Sequence, residues 1–344
     1  MLEKVSTILK MADESNTAVI SFICTDYNMV YSVVTTAEKT NTPALVMLLP
    51  EHYEKNNTMN VHGFAEMVKE LAESVKVPIG LHLDHSYDYD SVITSIKKGF
   101  DSVMIDASAY SLDENIALTR KVTETAHILG ADVEAEIGHV GLAQDCDGDK
   151  TDYYTKADAA ARFYQETNVD SLAIAIGNAH GVYVETPHLD IQRLEEINAA
   201  TDVPLVLHGG SGIPHDQLEI AFRKGINKFN VGTEFLSVYY GAVKEYVHMM
   251  EGNDKPLKML EVPEFVQTRL CEYLEEKIKE VPNVEKLLAI KGVGMSTVIG
   301  FIAEVGDIGR FTDPKQIQKL AGLEIVKKSS GKKKGQPRIS KRGR

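Results

Sequence analysis

The stretch Ile79-Gly80-Leu81-His82-Leu83-Asp84 alternates apolar side chains with small or polar ones. Because successive side chains of a β-strand point to opposite faces, this pattern predicts a strand with two distinct faces. The isoleucine and leucines share one face, and Gly80, His82 and Asp84 share the other. The run ends in a carboxylate, and His85 follows directly. A group capable of chemistry therefore stands where a predicted strand finishes.

Four further strand-like runs end in a polar side chain that lies opposite the apolar face of its strand. These residues are Asp106, Glu136, His208 and Asn230. The carboxyl ends of parallel strands meet at one edge of a sheet or at one mouth of a barrel. With Asp84, the five side chains are therefore predicted to form one site.

Strand-like runs alternate with amphipathic helical stretches over roughly the first 250 residues, the size of one α/β barrel. Helical segments lie between the strands, for example 60–75, 112–129 and 191–200. Eight β-then-α units favour a closed barrel over a doubly wound sheet, and the Gly-rich turn of a dinucleotide fold is missing after the first strand. We predict an α/β fold, a (β/α)8 TIM barrel with a small C-terminal helical, basic appendage. The eight predicted strands are 18–24, 44–49, 79–85, 102–108, 132–138, 171–177, 204–209 and 228–232.

The composition is that of an ordinary soluble globular protein, with 43% hydrophobic and 25% charged residues. No apolar run approaches the roughly 18 residues that a membrane span needs. Met1-Leu2-Glu3-Lys4 opens no signal peptide, and the 3 cysteines are far apart without a CxxC pair. These features predict a cytoplasmic protein that has no membrane partner and no disulfide framework.

The net charge of −13 is unevenly distributed. From Val281 onward the chain has 14 Lys/Arg against 5 Asp/Glu, whereas the rest has 23 against 45. An acidic body with a basic end indicates two parts of different task or origin. The predicted boundaries are a barrel at 1–280, a helical segment at 281–326 and a basic disordered tail at 327–344.

His85, His180 and His208 lie at or just beyond the ends of the third, sixth and seventh predicted strands. Three imidazoles at one barrel mouth would hold a metal ion and leave a fourth position open, as catalytic zinc requires. An isolated polar loop residue is the simpler interpretation of any single histidine. Three of them beside carboxylates favour a metal site. His82 lies deeper in its strand and is interpreted as a hydrogen-bonded core histidine.

The carboxylates leave two roles open. Asp84, next to His85, would act as a general acid/base, or would only accept a hydrogen bond that orients a histidine. Asp106 and Glu136 would be such orienting groups, or ligands of a mobile or second cation.

Two Gly-rich turns follow the last two strands, His208-Gly209-Gly210-Ser211-Gly212 and Asn230-Val231-Gly232-Thr233. Glycines let backbone N–H groups approach an anion, and the loops after strands seven and eight are the usual phosphate position of this architecture. A single turn of this kind would be only a tight connection. Two at the expected positions predict a phosphate site.

Five motifs, in this order and spacing over residues 1–280, resemble the class II ketose-bisphosphate aldolases of the fructose and tagatose group. They are Leu81-His82-Leu83-Asp84-His85, Val133-Glu134-Ala135-Glu136-Ile137-Gly138, Ala175-Ile176-Gly177-Asn178-Ala179-His180-Gly181, Leu207-His208-Gly209-Gly210-Ser211-Gly212 and Asn230-Val231-Gly232-Thr233-Glu234. The resemblance implies reversible zinc-dependent cleavage of a phosphorylated ketose, such as fructose or tagatose 1,6-bisphosphate, to dihydroxyacetone phosphate and an aldehyde. It also suggests a homodimer or homotetramer.

The resemblance further implies roles for individual residues. His85, His180 and His208 would hold the catalytic Zn²⁺, and Asp84 would be the proton donor. Asp106 and Glu136 would bind a second or alternative metal position, with a second divalent or a monovalent cation as its occupant. The dihydroxyacetone-phosphate end would be held by Gly181, Gly209, Gly210, Ser211, Asn230, Val231, Gly232 and Thr233.

The chain departs from the family pattern at three places. The loop after strand five has Gly141-Leu142-Ala143-Gln144-Asp145, where the family has two glycines and an acidic pair. Strand one ends in Phe22-Ile23-Cys24-Thr25-Asp26, where the family usually has a Phe-Asn motif. Strand two ends in Leu48-Leu49-Pro50, where the family usually has a polar residue. These positions shape the aldehyde half of the pocket. An aldolase of another phosphorylated sugar or sugar acid is therefore an alternative. From a different class, an impaired barrel tethered to DNA by its tail is another.

Residues 287–344 resemble the C-terminal helix-hairpin-helix region of insertion-sequence transposases, through Ile290-Lys291-Gly292-Val293-Gly294 and Leu320-Ala321-Gly322-Leu323. In that family a serine at the position of Ser330 is implied to be catalytic. A Gly-x-Gly hairpin with nearby lysines could bind DNA phosphates. The acidic body would repel DNA, so a gene-fusion remnant is favoured over a working DNA-binding module.

Overall fold

The computed structural model describes residues 1–54, 60–141, 154–181, 183, 186–251 and 260–282, together with four two-residue strands between 325 and 339. The chain divides into two compact units, Met1–Ala289 and Ile290–Arg344. The predicted helical segment at 281–326 falls almost entirely outside the described residues, as does most of the predicted tail. Their boundaries stay predictions.

Eight strands of the first unit form a closed parallel barrel in sequential order, and the first strand pairs with the eighth. The predicted (β/α)8 architecture is therefore confirmed. Each strand lies within a few residues of its predicted position. The strands are β1 Val19–Ile23, β2 Ala44–Leu48, β3 Ile79–Ser86, β4 Ser102–Ile105, β5 Asp132–Ile137, β6 Ser171–Ile174, β7 Leu205–Leu207 and β8 Ile226–Val231.

Helices connect the strands, and several begin at a side-chain cap. Asp26, Asn60, Asp88, Ser111 and Asp190 each accept a hydrogen bond from a backbone N–H of the first helical turn. The described helices are α1 Val5–Glu14, α2 Tyr27–Thr40, α3 Glu51–Glu54, α4 Val61–Glu73, α5 Tyr89–Lys97, α6 Leu112–Ile128, α7 Ala157–Thr167, α8 Ile191–Ala200, α9 His215–Arg223, α10 Thr233–Met250 and α11 Glu261–Lys279. Within the described ranges, no helix has the length and hydropathy to cross a membrane.

The two faces of the strands have different tasks. The outward side chains, such as Leu81, Val133, Leu207 and Phe229, pack with the helices in the main hydrophobic core. The inward side chains of the same strands include buried polar groups. The strand parity seen in the sequence thus separates a packing face from a polar barrel interior.

The second unit contains four short strands that the structure describes. Ile325–Val326 (β9) pairs antiparallel with Arg338–Ile339 (β12), and Ser329–Ser330 (β10) pairs antiparallel with Lys333–Lys334 (β11). Three of these strands fall in the range predicted as a disordered tail.

Candidate active site at the barrel mouth

A local irregularity in β3 brings two adjacent side chains into the site. The register between β3 and β4 shifts between Leu83 and Ser86, and His85 has a φ of 32°. A non-glycine residue in the left-handed region is uncommon and often marks a functional constraint. Regular alternation would send His85 away from Asp84, but here both are buried, at 2% exposure for Asp84 and 9% for His85. The bulge redirects the histidine into the barrel mouth.

The structure brings His85, His180 and His208 together from three separate strand ends. Their ring centroids lie 4.8 Å apart for His85 and His180, 4.8 Å for His85 and His208, and 5.6 Å for His180 and His208. One ring nitrogen from each lies within 4.8 Å of the others. Nitrogens at this spacing can share one metal ion.

Each of the three rings uses one nitrogen to hydrogen-bond a protein oxygen. His85 Nδ1 lies 2.9 Å from Asp106 Oδ2, and His180 Nδ1 lies 2.9 Å from the Val140 carbonyl. His208 Nε2 lies 3.0 Å from Glu134 Oε1. If these nitrogens carry the N–H, the opposite nitrogen of each ring is an available ligand. Outer carboxylates and carbonyls fix metal-binding histidines in this way.

Buried polar atoms without partners mark the space between the rings. His180 Nε2, His208 Nδ1 and Glu136 Oε2 are buried and have no hydrogen-bond partner. Leaving such groups unsatisfied is costly, and a cation would satisfy all three. The donor set of imidazoles and carboxylate therefore fits a divalent ion such as zinc.

Negative charge dominates the surroundings of His208. Burial alone would lower its pKa, but the hydrogen bond to Glu134 and the neighbouring carboxylates of Glu136 and Asp84 raise the pKa to about 10. Burial, together with the charges of His85 and His208, lowers the pKa of His180 to about 4. The same anionic field that holds a proton on His208 would attract a metal cation in its place.

Asp84 lies beside the histidines without a hydrogen bond to any of them in the described structure. Its Oδ1 accepts from Asn230 Nδ2 at 3.3 Å. Burial alone would raise the pKa of Asp84, but the positive charges of His85, His208 and Lys228 hold that pKa below its usual range. Asp84 is therefore a carboxylate at neutral pH, ready to accept a proton.

Asp106 and Glu136 lie on opposite sides of the histidine cluster. Asp106 Oδ2 hydrogen-bonds His85 Nδ1. Burial alone would raise the pKa of Asp106, but this bond keeps the pKa well below its usual range. Glu136 Oε1 accepts from the Val140 N–H at 3.0 Å, and its Oε2 lies 3.4 Å from His208 Nδ1. Asp106 thus has the geometry of an orienting group. Glu136, which points a free oxygen at the cluster, is better placed to contact an ion.

The predicted phosphate residues lie on adjacent loops. The Gly210 N–H donates to the Asn230 carbonyl at 3.3 Å, and Ser211 Oγ accepts from the Glu234 N–H at 3.2 Å. Thr233 begins α10, whose capping residue Gly232 offers no side-chain hydrogen bond, so helical N–H groups remain for a ligand. The side chain of Val231 packs in the core, and only its backbone can face a ligand.

Tyr183 ties two of these loops together. Its hydroxyl accepts from the Ala179 N–H at 2.7 Å and donates to the Gly209 carbonyl at 3.0 Å. Gly209 has a φ of 62°, and a Cβ there would lie 2.0 Å from the Ala179 carbonyl oxygen. The loop after β7 therefore packs against the loop that carries His180, and Gly181 lies at the open side of that contact with no atom near its missing Cβ.

Two buried residues of this region were not predicted as functional. Glu134 on β5 and Lys228 on β8 are 1% and 0% exposed, and they form an ion pair inside the barrel. The parity of Lys228 with Asn230, two residues further on, was the available signal. Lys228 lies within its strand, whereas the predicted site residues lie at strand ends.

The departures from the family pattern are only partly visible. Asp26 caps α2, and its Oδ2 accepts from the Tyr239 hydroxyl at 2.8 Å, so this residue has a structural task. Leu49-Pro50 leads directly into α3. The loop after strand five, from Leu142 onward, lies outside the described residues.

Comparison with known proteins bears on the barrel and the tail separately. Residues 3–286 match the family model described as fructose-bisphosphate aldolase class-II. The chain belongs to the class II fructose-bisphosphate aldolase family.

Relatives of this class II aldolase family member include YdjI of Escherichia coli K12, 35% identical over 269 residues, which span 78% of this chain and 93% of that protein. The crystal structure of the YdjI aldolase superposes with a TM-score of 0.73 at 32% identity, covering 83% of this chain and 100% of that one. A putative fructose-1,6-biphosphate aldolase from Coccidioides immitis gives 0.70 at 26% identity, covering 83% and 99%. Fructose-bisphosphate aldolase from Campylobacter jejuni, at 0.68 and 23% identity over 81% and 95%, shares the fold.

The end of this aldolase chain matches a second family. Residues 284–344 match the model of the transposase IS116/IS110/IS902 family. This agrees with the predicted transposase-like tail and with the division of the chain near residue 289.

Proposed function

We propose that this protein catalyses zinc-dependent, reversible aldol cleavage of a ketose phosphate or bisphosphate, giving dihydroxyacetone phosphate and an aldehyde. One observation carries the proposal. One ring nitrogen of each of the three histidines hydrogen-bonds a protein oxygen. The other nitrogens lie close together, and two of them, His180 Nε2 and His208 Nδ1, are buried without a hydrogen bond. Such a set suits an ion with an open coordination position for substrate.

Binding of the substrate begins at its phosphate. The N-terminus of α10 and the loop from Gly209 to Ser211 present backbone N–H groups on adjacent elements. The Gly210 and Glu234 N–H groups are already paired within the protein, so the remaining N–H groups of these two elements would hold the phosphate by charge-assisted hydrogen bonds and so fix the ketose relative to the histidines. Gly181, Asn230 and Thr233 are proposed to complete this half of the pocket.

The proton is handled by Asp84. Zinc, when bound, would act as a Lewis acid that polarises the ketose carbonyl and stabilises the negative charge developing as the C3–C4 bond breaks. Asp84, a carboxylate at neutral pH, takes the proton of the C4 hydroxyl as the C3–C4 bond breaks, and a proton from solvent water adds to C3 to complete dihydroxyacetone phosphate. In condensation the two proton transfers run in reverse. Asn230 Nδ2 holds Asp84 Oδ1 in place, and its own unpartnered Oδ1 is available to the substrate.

The aldehyde half of the pocket is less defined. Asp26 is engaged with α2 and Tyr239, and strand two ends in Leu48-Leu49-Pro50, where the resemblance implies a polar residue. These departures support an alternative within the same chemistry, cleavage of another phosphorylated sugar or sugar acid. A cytoplasmic homodimer or homotetramer is proposed from the family alone, and a DNA-binding role of the tail is not part of the proposal.

Metal dependence is tested by a retro-aldol assay with chelator reversal. The purified protein should contain about one Zn²⁺ per chain, lose activity with the metal on chelation, and regain both on re-addition of zinc. A panel of ketose 1-phosphates and 1,6-bisphosphates identifies the substrate. Full activity in a metal-free sample would contradict the proposal, and so would the absence of dihydroxyacetone phosphate with every substrate of the panel.

A further inference from the structure

A buried ion pair crosses the barrel beneath the histidine cluster. Lys228 on β8 and Glu134 on β5 have fully buried side chains. Lys228 Nζ lies 2.9 Å from Glu134 Oε1 and 2.8 Å from Oε2, so the lysine donates to both oxygens of the carboxylate. An unpaired charge at either position would be strongly destabilising, and the two groups therefore depend on each other.

Glu134 also accepts from two other side chains. Ser171 Oγ donates to Oε2 at 2.9 Å, and His208 Nε2 lies 3.0 Å from Oε1. With four hydrogen bonds, the carboxylate has little freedom to rotate or move. His208 is thereby directed to donate through Nε2. Its Nδ1 makes no hydrogen bond and lies near the other histidines, 3.4 Å from Glu136 Oε2.

We propose that Lys228 is a positioning residue for the metal centre, because it fixes the Glu134 carboxylate that orients the His208 ring. The inference rests on the proposed metal site at His85, His180 and His208. Lys228 touches none of the three histidines among its hydrogen-bond partners, so it acts only through Glu134. It also donates to a carboxylate rather than presenting a free amine, which sets it apart from a lysine that forms a Schiff base.

The arrangement explains why a lysine occupies a strand interior. A neutral residue at 228 would leave Glu134 with only Ser171 and His208 as donors. The carboxylate could then turn away, and the His208 ring could turn with it. The metal would lose a pre-oriented ligand although all three histidines remained.

The test compares zinc affinity in four variants of the full chain, the fourth being the conservative Lys228→Arg. Lys228→Met removes the cation, and the double variant Lys228→Met/Glu134→Gln removes both buried charges, which avoids an uncompensated carboxylate. Lys277→Met is the matched control: Lys277 is 5% exposed and paired with Glu234 at 3.2 Å and Glu280 at 2.9 Å, far in sequence from the histidine ligands. Zn²⁺ affinity is measured by competition with a chromogenic chelator, and Co²⁺ absorption spectra report the coordination geometry.

We expect both Lys228 variants to bind zinc about 10- to 100-fold more weakly than the wild type, the usual effect of losing an outer partner of a metal ligand. Their Co²⁺ spectra should change, whereas Lys277→Met should keep wild-type affinity and spectrum. Lys228→Arg, which keeps a donor to Glu134, should recover much of the affinity. Wild-type affinity and an unchanged spectrum in the double variant would overturn the inference.

Two further outcomes separate this inference from the proposed function. A wild-type protein that binds no zinc would remove the metal site itself, and the positioning role with it. If the Lys228 variants do not fold, nitrogen-15 NMR of the zinc-loaded wild type tests the inference by showing which ring nitrogen of His208 carries the proton. A slowly exchanging proton on His208 Nε2 supports the inference, and a proton on Nδ1 overturns it.

Discussion

The three histidines at the barrel mouth differ in which ring nitrogen the protein holds. His85 and His180 are held through Nδ1, and His208 through Nε2. The free nitrogens are therefore Nε2 of the first two and Nδ1 of the third. The oxygens that hold them come from a carboxylate after β4, a carbonyl after β5 and a carboxylate within β5. Each ring thus has its orientation set independently of a bound ion.

Replacing His180 by alanine should abolish both zinc binding and activity. Even outer partners of metal ligands are worth about 10- to 100-fold in affinity, so loss of a ligand should exceed that range. Metal analysis and the retro-aldol assay measure the two effects. His188→Ala, an exposed histidine eight positions further on, serves as the control. Full zinc content in His180→Ala would refute its assignment as a ligand.

Asp84→Asn separates catalysis from orientation. Asparagine keeps an oxygen for the Asn230 amide but cannot accept the substrate proton. General acid–base catalysis contributes about 10²- to 10⁴-fold, so kcat should fall by that factor while zinc content stays unchanged. Steady-state kinetics with metal analysis measures both. A kcat within about tenfold of wild type, or loss of zinc, would favour the orienting role instead.

At the scale of elements, the loops after β6 and β7 form one packed unit. The Tyr183 hydroxyl bridges the Ala179 N–H and the Gly209 carbonyl, and the Asn178 side chain donates to the His208 carbonyl at 3.1 Å. His180 and His208 therefore lie on loops that hydrogen-bond to each other. Their geometry depends on close backbone approach, which glycine permits.

Gly209→Ala should disturb that contact. A Cβ at Gly209 would lie 2.0 Å from the Ala179 carbonyl oxygen in addition to the cost of a φ of 62°. Gly130→Ala is the matched control, because it has a φ of 80° and no atom within 4 Å of the added Cβ. Gly130→Ala should lower the free energy of unfolding by about 1 kcal/mol. Gly209→Ala should lower it by clearly more and should also raise the KM. Urea unfolding and kinetics measure both, and equal losses would contradict the packing argument.

At the scale of the whole molecule, the candidate site lies at the C-terminal ends of the strands, whereas a buried carboxylate that affects stability lies before the start of one strand. Asp101, just before β4, has a buried Oδ1 without a hydrogen-bond partner. Burial raises the pKa of Asp101 to about 6, with help from the charge of Asp132. The folded protein thus binds this proton more tightly than the unfolded chain. The contribution of Asp101 to stability is therefore lost as the pH rises from about 4 through 6.

Asp101→Asn should remove that loss. The variant should gain about 1–2 kcal/mol over wild type at pH 7, less than the full shift implies because the site is partly exposed, and little at pH 4. Urea unfolding midpoints across this pH range measure the difference. Asp202→Asn, an exposed carboxylate, controls for loss of charge alone. A difference independent of pH would contradict the argument.

Removal of the transposase-like tail should leave catalysis intact. Truncation is best made after Ala289, because Val281 is buried in the core and Thr17 donates to the Pro282 carbonyl at 2.6 Å. The shortened protein should keep its zinc and a kcat/KM within about twofold of the full chain, as for changes outside the folded core. Kinetics on both proteins measures this, and loss of activity would give the tail a role in the aldolase.

Strand parity alone determined much of this molecule. The alternation in 79–84 and its counterparts predicted eight strands, a barrel, and the inward faces of Asp84, Glu136, His208 and Asn230. Alternation is a local property of an extended chain, so it can be found without knowledge of neighbouring strands. The strand-end positions of His85, His180 and His208 indicated a metal site, and the family motifs implied the role of each residue.

Only the tertiary structure decided the remaining features. The inward turn of His85 comes from a bulge against β4, which contradicts the alternation that its own strand predicts. The pairing of Lys228 with Glu134 joins residues 94 positions apart, and it exists because β5 and β8 both direct side chains into the interior of one closed barrel. Which nitrogen of each histidine is free likewise depends on oxygens from distant strands. Contacts of this kind are set by barrel closure, and closure is a property of the whole chain.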